Sequence, residues 1–404
     1  MKGPRETSGP FFVSVACSAG HRGRFRTELP TRAAGLKLTG MALKPLKQPD
    51  WPAPEHALAA ADDFLHGPAG DPGLALLSGR SLDALCATAL WLRALEDLGR
   101  APDATWIEGP DFRATRSATS RAWRSLEPSA LVACGLYAPL TPSSRLPPAL
   151  SLVGRSTGDS GRIGGEVLDV RAHRPELPLS LLTWFLLERS VVHPEREWLA
   201  VLGTLRVLGP EAPIPGFVDA LKRHGRVPLT ETMGLVHAAS HAADFDPQRV
   251  LEMLLGTRKP LDLSLGRAPH VATLRAQRDT VQEALEEALL RPAHRTPSVL
   301  LCVLDSPHAL SPLVAARLAY QEPGVAVLVL NLGLDRRRVM LSIRSRASLS
   351  PRVLSDVLHL EGLRVLTRRR SGVEAVFDRR ELPLLFERLG LRGETSGVAP
   401  VLGT

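Results

Sequence analysis

Few stretches of this sequence set reactive side chains at a spacing that could do chemistry. The first is Leu74–Thr88, LALLSGRSLDALCAT, where an apolar run stops at Ser-Gly-Arg-Ser and an amphipathic helix begins. A strand-to-helix corner of this kind grips ligands in α/β proteins, because side chains and free helix-end amides meet there. Its equipment is thin: one carboxylate, Asp83, and no histidine. The second is HAASH, which puts His237 and His241 at i, i+4 on one predicted helix face, with Asp244 and Asp246 just beyond. Two histidines so spaced can share a zinc ion, but the glutamate of HExxH is missing, and ordinary helix positions are the favoured reading. The third is arginine. RRR occurs at Arg336–Arg338 and again at Arg368–Arg370, which suits a solvated turn or a nucleic-acid phosphate patch. Cys17, Cys86, Cys134 and Cys302 are far apart, so neither a disulfide framework nor a thiolate zinc site is expected, and Cys86 and Cys134 read as core. Gly164 and Gly165 fall in a loop without the strand-GxGxxG-helix context of a nucleotide fingerprint, and no GxSxG elbow or Walker lysine loop is present.

Composition narrows the setting. The chain has 404 residues, 44% hydrophobic and 23% charged, which supports two or three globular domains with real cores. No apolar stretch reaches the roughly 20 residues needed to cross a bilayer, and the N-terminus lacks the apolar core of a secretory signal. No membrane is expected as a partner, and a reducing cytoplasm is the expected compartment. The net charge of +8 is unevenly placed: residues 1–50 hold nine Lys or Arg against three acids, and residues 331–380 hold twelve Arg against five acids. The basic character is a tail and one C-terminal patch. Aromatics make up only 4%, so base stacking has little support, and phosphate-dominated, weakly sequence-specific contact is the expectation.

These side chains must be positioned by regular elements. Residues 1–55 lack sustained periodicity and read as a flexible basic leader, either a targeting peptide or an over-extended start ahead of Met41. From His56 the pattern is regular: helix His56–Leu65, strand Leu74–Leu77, helix Leu82–Leu98, and strands at Thr105–Glu108, Ala130–Cys134 and Leu150–Val153. Leu82, Leu85, Ala89, Leu92 and Leu95 recur at three- and four-residue steps, one buried stripe. A run of helices over about 178–257 leads into a long amphipathic helix at 270–290. A β-rich module follows, with strands Ser298–Leu304, Val325–Asn331, Arg338–Ile343 and around Val373–Phe377. Its helices are Leu310–Tyr320, Pro351–Leu358 capped by Ser350, and Glu381–Leu389. The expected fold class is α/β: a mainly parallel-sheet N-terminal domain with a helical continuation and connecting helix, then a smaller α/β C-terminal domain. The expected boundaries are a leader at 1–55, the first domain at 56–258, the connecting helix at 259–295, the second domain at 296–392 and a tail at 393–404.

This order resembles the DHH/DHHA1 phosphoesterases, the superfamily of RecJ-like nucleases, pyrophosphatases and archaeal replisome-associated relatives. Three stretches carry the resemblance: LALLSGRSLDALCATALWLRALEDLGRAPDATWIEG, LPLSLLTWFLLERSV with EWLAVLGTLRVLG, and VMLSIRSRASLSPRVLSDVL. The resemblance implies two divalent metals, usually manganese, held by carboxylates and histidines that activate water against a phosphodiester. Position by position, the ligands are replaced. The first motif, His-x-Asp-x-Asp, falls on Gly79, Ser81 and Asp83. The second-motif aspartate falls on Gly135, and Asp-His-His falls on Gly154, Arg155 and Ser156. The fourth aspartate falls near Val207. In the C-terminal domain the family's Ser-Leu-Arg-Ser segment matches Ser342–Ser345, and its Gly-Gly-Gly-His loop falls on Arg368, Arg369, Arg370 and Ser371.

The resemblance therefore implies a phosphoesterase-like protein that has lost most metal ligands, is catalytically inactive, and binds single-stranded DNA or RNA or another phosphate-containing ligand. Ser342, Arg344, Arg346, Arg368, Arg369 and Arg370 are the candidate phosphate contacts. No cofactor is expected, and Asp83 is only a weak metal candidate. An inactive eukaryotic relative in the replicative helicase assembly gives the family a precedent. Two alternatives stay open: an active manganese-dependent phosphodiesterase or nuclease with a rewired site using Asp83, Asp159 or Asp169, and a scaffold that binds a protein partner. The oligomeric state is left open.

Overall fold

Short apolar runs separated by amphipathic helices have only one economical burial, a sheet covered on its faces. The computed structural model describes residues 43–47, 51–66, 73–100, 102, 104–109, 129–136, 149–154, 166–169, 177–188, 193–291, 293–346, 359–360, 362–369 and 371–390. They form two units. The first comprises the described residues up to Met233 together with Pro247–Pro269; the second comprises Gly234–Asp246 and the described residues from His270 onward.

In the first unit, helix α1 (Glu55–His66) precedes β1 (Leu74–Ser78), α2 (Leu82–Asp97), β2 (Ala104–Ile107), β3 (Ala130–Cys134), β4 (Ala149–Val153) and β5 (Glu166–Asp169). The strands form a five-stranded sheet in the order β2-β1-β3-β4-β5, and every neighbouring pair is parallel. All five residues of β1 and of β4 are buried, as a parallel strand covered on both faces requires. Helices α3 (Leu179–Leu187), α4 (Glu197–Leu208) and α5 (Phe217–His224) follow, and α2 packs against α3 and α4. Every residue of α3 is buried, which explains why LSLLTWFLL is apolar all round rather than amphipathic. Helix α6 (Arg226–Ala239) runs from the first unit into the second, and α7 (Pro247–Gly256) and α8 (Pro260–Ser264) belong to the first.

In the second unit, α9 (Val271–Leu289) is followed by β6 (His294–Arg295), β7 (Val299–Leu304), α10 (Ser311–Gln321), β8 (Ala326–Asn331), β9 (Arg338–Arg344), β10 (Arg364–Arg369), β11 (Gly372–Asp378) and α11 (Leu382–Arg388). Its six strands are ordered β10-β11-β9-β8-β7-β6. Only β7 and β8 pair parallel; the other neighbours are antiparallel. Alternate side chains of β7 go to opposite faces. Val299 and Leu301 join Leu328, Leu341 and Phe377, while Leu300, Cys302 and Leu304 meet Val314 and Ala315 of α10 and Val281 and Ala288 of α9.

The α/β class and the mixture of parallel and mixed sheets agree with the sequence reading. Several details differ. Helix α9, expected as a connector, buries Val281 and Ala288 in the second unit's core, because its apolar stripe needs a partner. Strands β5, β6 and β10 and helix α8 were not expected. They are short or arginine-rich, so their register comes from neighbouring strands rather than from an apolar period. The expected helix 351–358 and the tail 393–404 lie outside the described residues. No helix among the described residues is long and apolar enough to cross a membrane.

Within the expected leader, residues 43–47 and 51–55 are described. Leu43 is buried, its N–H donates to Glu197 Oε1 (2.9 Å), and the Lys44 N–H donates to the Pro215 carbonyl (3.0 Å). Glu197 is wholly buried. Its other oxygen is paired with the Arg223 guanidinium and lies 2.9 Å from His224 Nε2. Burial, and secondarily the Glu197 charge, push the Glu188 carboxyl from 4.5 up to about 7. Folded Glu188 thus holds a proton that the unfolded chain releases between pH 4.5 and 7, so this group lowers stability progressively as pH rises through that window and by a constant amount above it. Glu188→Gln is expected to raise the melting temperature at pH 8 by a few degrees. The gain should vanish near pH ~4, as measured by thermal melts across pH.

Candidate functional site

The ends of β1, β3 and β4 meet at the corner singled out in the sequence. Their ladder continues one residue past the strands: the Gly79 N–H donates to the Cys134 carbonyl (2.8 Å) and the Gly135 N–H to the Leu152 carbonyl (3.0 Å). A Cβ on Gly79 would lie 2.1 Å from the Gly135 carbonyl oxygen, so this position admits no side chain without backbone movement. Gly135 itself has φ +63°, the left-handed region. A Cβ on Gly154, at the end of β4, would lie 2.9 Å from Leu179 Cγ. Two of the places where metal ligands are implied are thus filled by a carbonyl group and a leucine.

The remaining polar groups of the corner serve the fold. Ser81 is the N-cap of α2, its hydroxyl accepting from the Ala84 N–H (3.2 Å). Asp83 is nearly inaccessible. Its Oδ2 accepts from the Leu179 N–H (2.8 Å), and its Oδ1 accepts from the Ser180 N–H (3.0 Å) and the Ser180 hydroxyl (2.6 Å). The residue at the start of α3, Pro178, offers no side-chain cap. Asp83 therefore caps α3 from a different helix, placing its charge on two free amides at the positive end of the helix dipole. Gly203 of α4 closes the arrangement, since a Cβ there would lie 2.1 Å from Ser180 Oγ and 2.7 Å from Asp83 Oδ1.

Beneath these groups lie hydroxyls and thiols. The Ser78 hydroxyl donates to the Gly79 carbonyl (2.9 Å) and accepts from Thr88 (2.8 Å). Burial pushes the Cys134 thiol up to about 12. The Cys86 thiol is raised well above its usual range, first by burial and then by the Asp83 charge. Both therefore stay protonated and make poor metal ligands. Glu108, which the sequence reading did not single out, is buried, and its N–H donates to the Ser78 carbonyl (2.8 Å). Asp169 ends β5 opposite Val153. Val207 is half-buried on α4. Arg155, Ser156, Asp159, Gly164 and Gly165 lie outside the described residues. Among the described residues, no group of three or more His, Cys, Asp or Glu is placed to hold a metal ion. Two clustered dications need several hard anionic ligands; the described residues do not fit a dinuclear manganese centre.

Of the candidate phosphate contacts, Arg344, Arg346, Arg368 and Arg369 fall at one end of the second sheet. Arg344 ends β9 opposite Gly372, which in turn faces Arg369 of β10. The Ser345 N–H donates to the Ser371 carbonyl (2.9 Å), tying Arg344–Arg346 to the β10–β11 turn that follows Arg368 and Arg369. Arg370 lies outside the described residues. The Arg344 guanidinium is paired with Glu374 and covers Gly372, where a Cβ would meet its Nη1 at 2.2 Å. Arg346 lies over the Tyr320 ring, 5.5 Å from its centroid, and Tyr320 is 72% exposed. Ser342, by contrast, is buried in mid-strand with no hydrogen-bond partner for its hydroxyl, out of reach of a surface ligand. Tyr320 was not foreseen, because its place beside Arg346 depends on α10 packing against β9.

His237 and His241 stand edge to face with ring centroids 5.2 Å apart. The His241 Nδ1 is 2.8 Å from the Ala309 carbonyl, an arrangement that anchors a loop. Asp83 sets the clearest test of the corner. Asp83→Ala strands two helix-end amides and a hydroxyl, and is expected to cost about 3 kcal/mol or more in denaturant melts run in EDTA. Asp83→Asn should cost less, and Ser81→Ala about 1 kcal/mol. A carboxylate retained for metal would show the opposite sign, with the apo variant as stable as the wild type or more so.

No protein-family model matches the sequence, and no curated protein sequence matches it. Solved structures do resemble it. RecJ of Thermus thermophilus in complex with Mn2+ superposes with a TM-score of 0.58 at 18% identity, covering 82% of this chain and 54% of that one. This chain thus spans about half the length of that RecJ. The exonuclease RecJ bound to manganese gives 0.56 at 15% identity, covering 82% and 93%. The DHH domain of a protein described as a member of the s1p family of ribosomal proteins gives 0.53 at 13% identity, covering 87% and 94%. At these identities the likeness speaks to architecture alone, and by that architecture the chain has a RecJ-like fold.

Proposed function

We propose that this protein is a DHH/DHHA1 phosphoesterase-like protein without two-metal hydrolysis, and that it binds single-stranded nucleic acid through backbone phosphates at the Arg344–Arg346 end of its second sheet. The observation that supports loss of catalysis is the state of Asp83. The one carboxylate remaining in the first-motif corner already accepts three hydrogen bonds from the start of α3, with Gly79 and Gly154 closed to any side chain beside it. A carboxylate in that role cannot also neutralise a pair of dications.

Binding is supported by how the arginines are grouped. Arg344 and Arg346 end one strand, Arg368 and Arg369 end another, and a hydrogen bond joins the two segments. Guanidinium groups pair with phosphate in a fork geometry that survives loss of a glycine-rich loop. Exposed Tyr320 beside Arg346 adds a ring on which a base can stack, which favours single strands over duplex. Arg344 must share its charge with Glu374, so of Arg344 and Arg346 the latter is the stronger contributor.

Fluorescence anisotropy with labelled single-stranded DNA and RNA, at two salt concentrations, tests this directly. Binding is expected to weaken steeply with salt. Replacing Arg346, Arg368, Arg369 and Arg370 together by alanine should reduce the log–log salt slope by up to about 3, at roughly 0.7 for each phosphate no longer neutralised. The same protein in manganese should leave the strand intact. Release of mononucleotides would instead establish an active phosphodiesterase with a rewired site. Absence of binding at low salt, together with capture of a stable protein partner, would establish the scaffold reading.

A further inference from the structure

The opposite end of the same sheet carries a second basic feature that the DHH resemblance does not assign. Arg336, Arg337, Arg379 and Arg380 line one pocket together with Asp378 and Pro383. Arg338 pairs with Asp378 at one end of the β9–β11 ladder, and Arg344 pairs with Gly372 at the other. Six residues of strand at ~3.4 Å each separate the two ends by about 20 Å. The pocket is therefore distinct from the Arg344–Arg346 end.

Two short turns build it, and both are pinned through the main chain. Asp335 Oδ1 accepts from the N–H groups of Arg337 (2.8 Å) and Arg338 (3.2 Å). Asp378 Oδ1 accepts from the Arg380 N–H (2.9 Å), starting a 3-10 turn over Arg379–Glu381 that leads into α11. The Arg379 N–H donates to the Arg337 carbonyl (2.8 Å), locking one turn against the other. The carboxylates of Asp335 and Asp378 thus accept backbone hydrogen bonds. Among the described residues no salt bridge is formed by Arg336, Arg337 or Arg380. Arg336, Arg337 and Arg380, facing one concavity, repel one another, and a bound anion relieves that repulsion. No aromatic ring lines the pocket, so no ring there can stack on a base.

We infer that this pocket is an anion site for adjacent phosphate groups, borne either by a free polyphosphate such as a nucleoside triphosphate tail or by consecutive backbone phosphates of a nucleic acid. It stands independently of the reading given for the Arg344–Arg346 end. Calorimetric titration of the full chain with inorganic tripolyphosphate at low salt is expected to show binding. Arg337→Ala/Arg380→Ala should weaken it by about tenfold or more, while Arg317→Ala, an exposed arginine on α10, should leave it unchanged. Thermal melts check that the surface double variant remains folded. A parallel titration with a single-stranded oligonucleotide separates the sources: parallel weakening in Arg337→Ala/Arg380→Ala assigns backbone phosphates, and unchanged oligonucleotide affinity assigns a free polyphosphate. Wild-type protein that fails to bind tripolyphosphate, or a double variant that binds it as well as wild type, would overturn the inference.

Discussion

A carboxylate cut off from water must be matched by donors, and Asp83 finds three of them at the start of α3. This interaction organises the first unit. It sits in the first turn of α2 and also at the amide end of α3, so one negative charge serves two helix dipoles. It ties the start of α2 to the start of α3, two helices that pack against each other. It also explains Gly203, since any side chain on that face of α4 would collide with the Ser180–Asp83 pair.

The same constraint decides what chemistry the corner can support. A hydrolytic two-metal centre needs an open cluster of anions, whereas in the described corner Asp83 is buried against the start of α3. The corner's strand ends are hydrogen-bonded beyond the strands, its glycines are backed by a carbonyl and a leucine, and its thiols are kept protonated by burial. The strand, the turn and the helix are needed to bury the core whatever side chains stand at their ends, because different atoms carry the packing and the chemistry.

The second unit distributes its charge by a different rule. Antiparallel strands bring residues far apart in sequence to the same end of a sheet, so arginines in the 336–346 and 364–380 segments sort into two groups. One group adjoins an exposed tyrosine, while the other lines a pocket without aromatic rings. Charge that looks like one basic stretch in the sequence is thus two separate surfaces about 20 Å apart.

The apolar periods of the chain by themselves determined the α/β class, the strands β1, β3, β4, β7, β8 and β9, the long helices and the order in which they follow one another, because burial at period 2 or 3.6 is a local property of sequence. The glycines and serine at the first-motif corner were legible for a related reason: the residue type alone excludes side-chain metal ligation at Gly79, Gly135 and Gly154. Only the tertiary structure decided what Asp83 does, since its partners Leu179 and Ser180 are nearly a hundred residues away and no spacing rule encodes them. It likewise buried Ser342, set Tyr320 beside Arg346, and joined Arg336–Arg337 to Arg379–Arg380. Each of these depends on register between elements, and register is fixed by packing across the sheet rather than by the local run of residues.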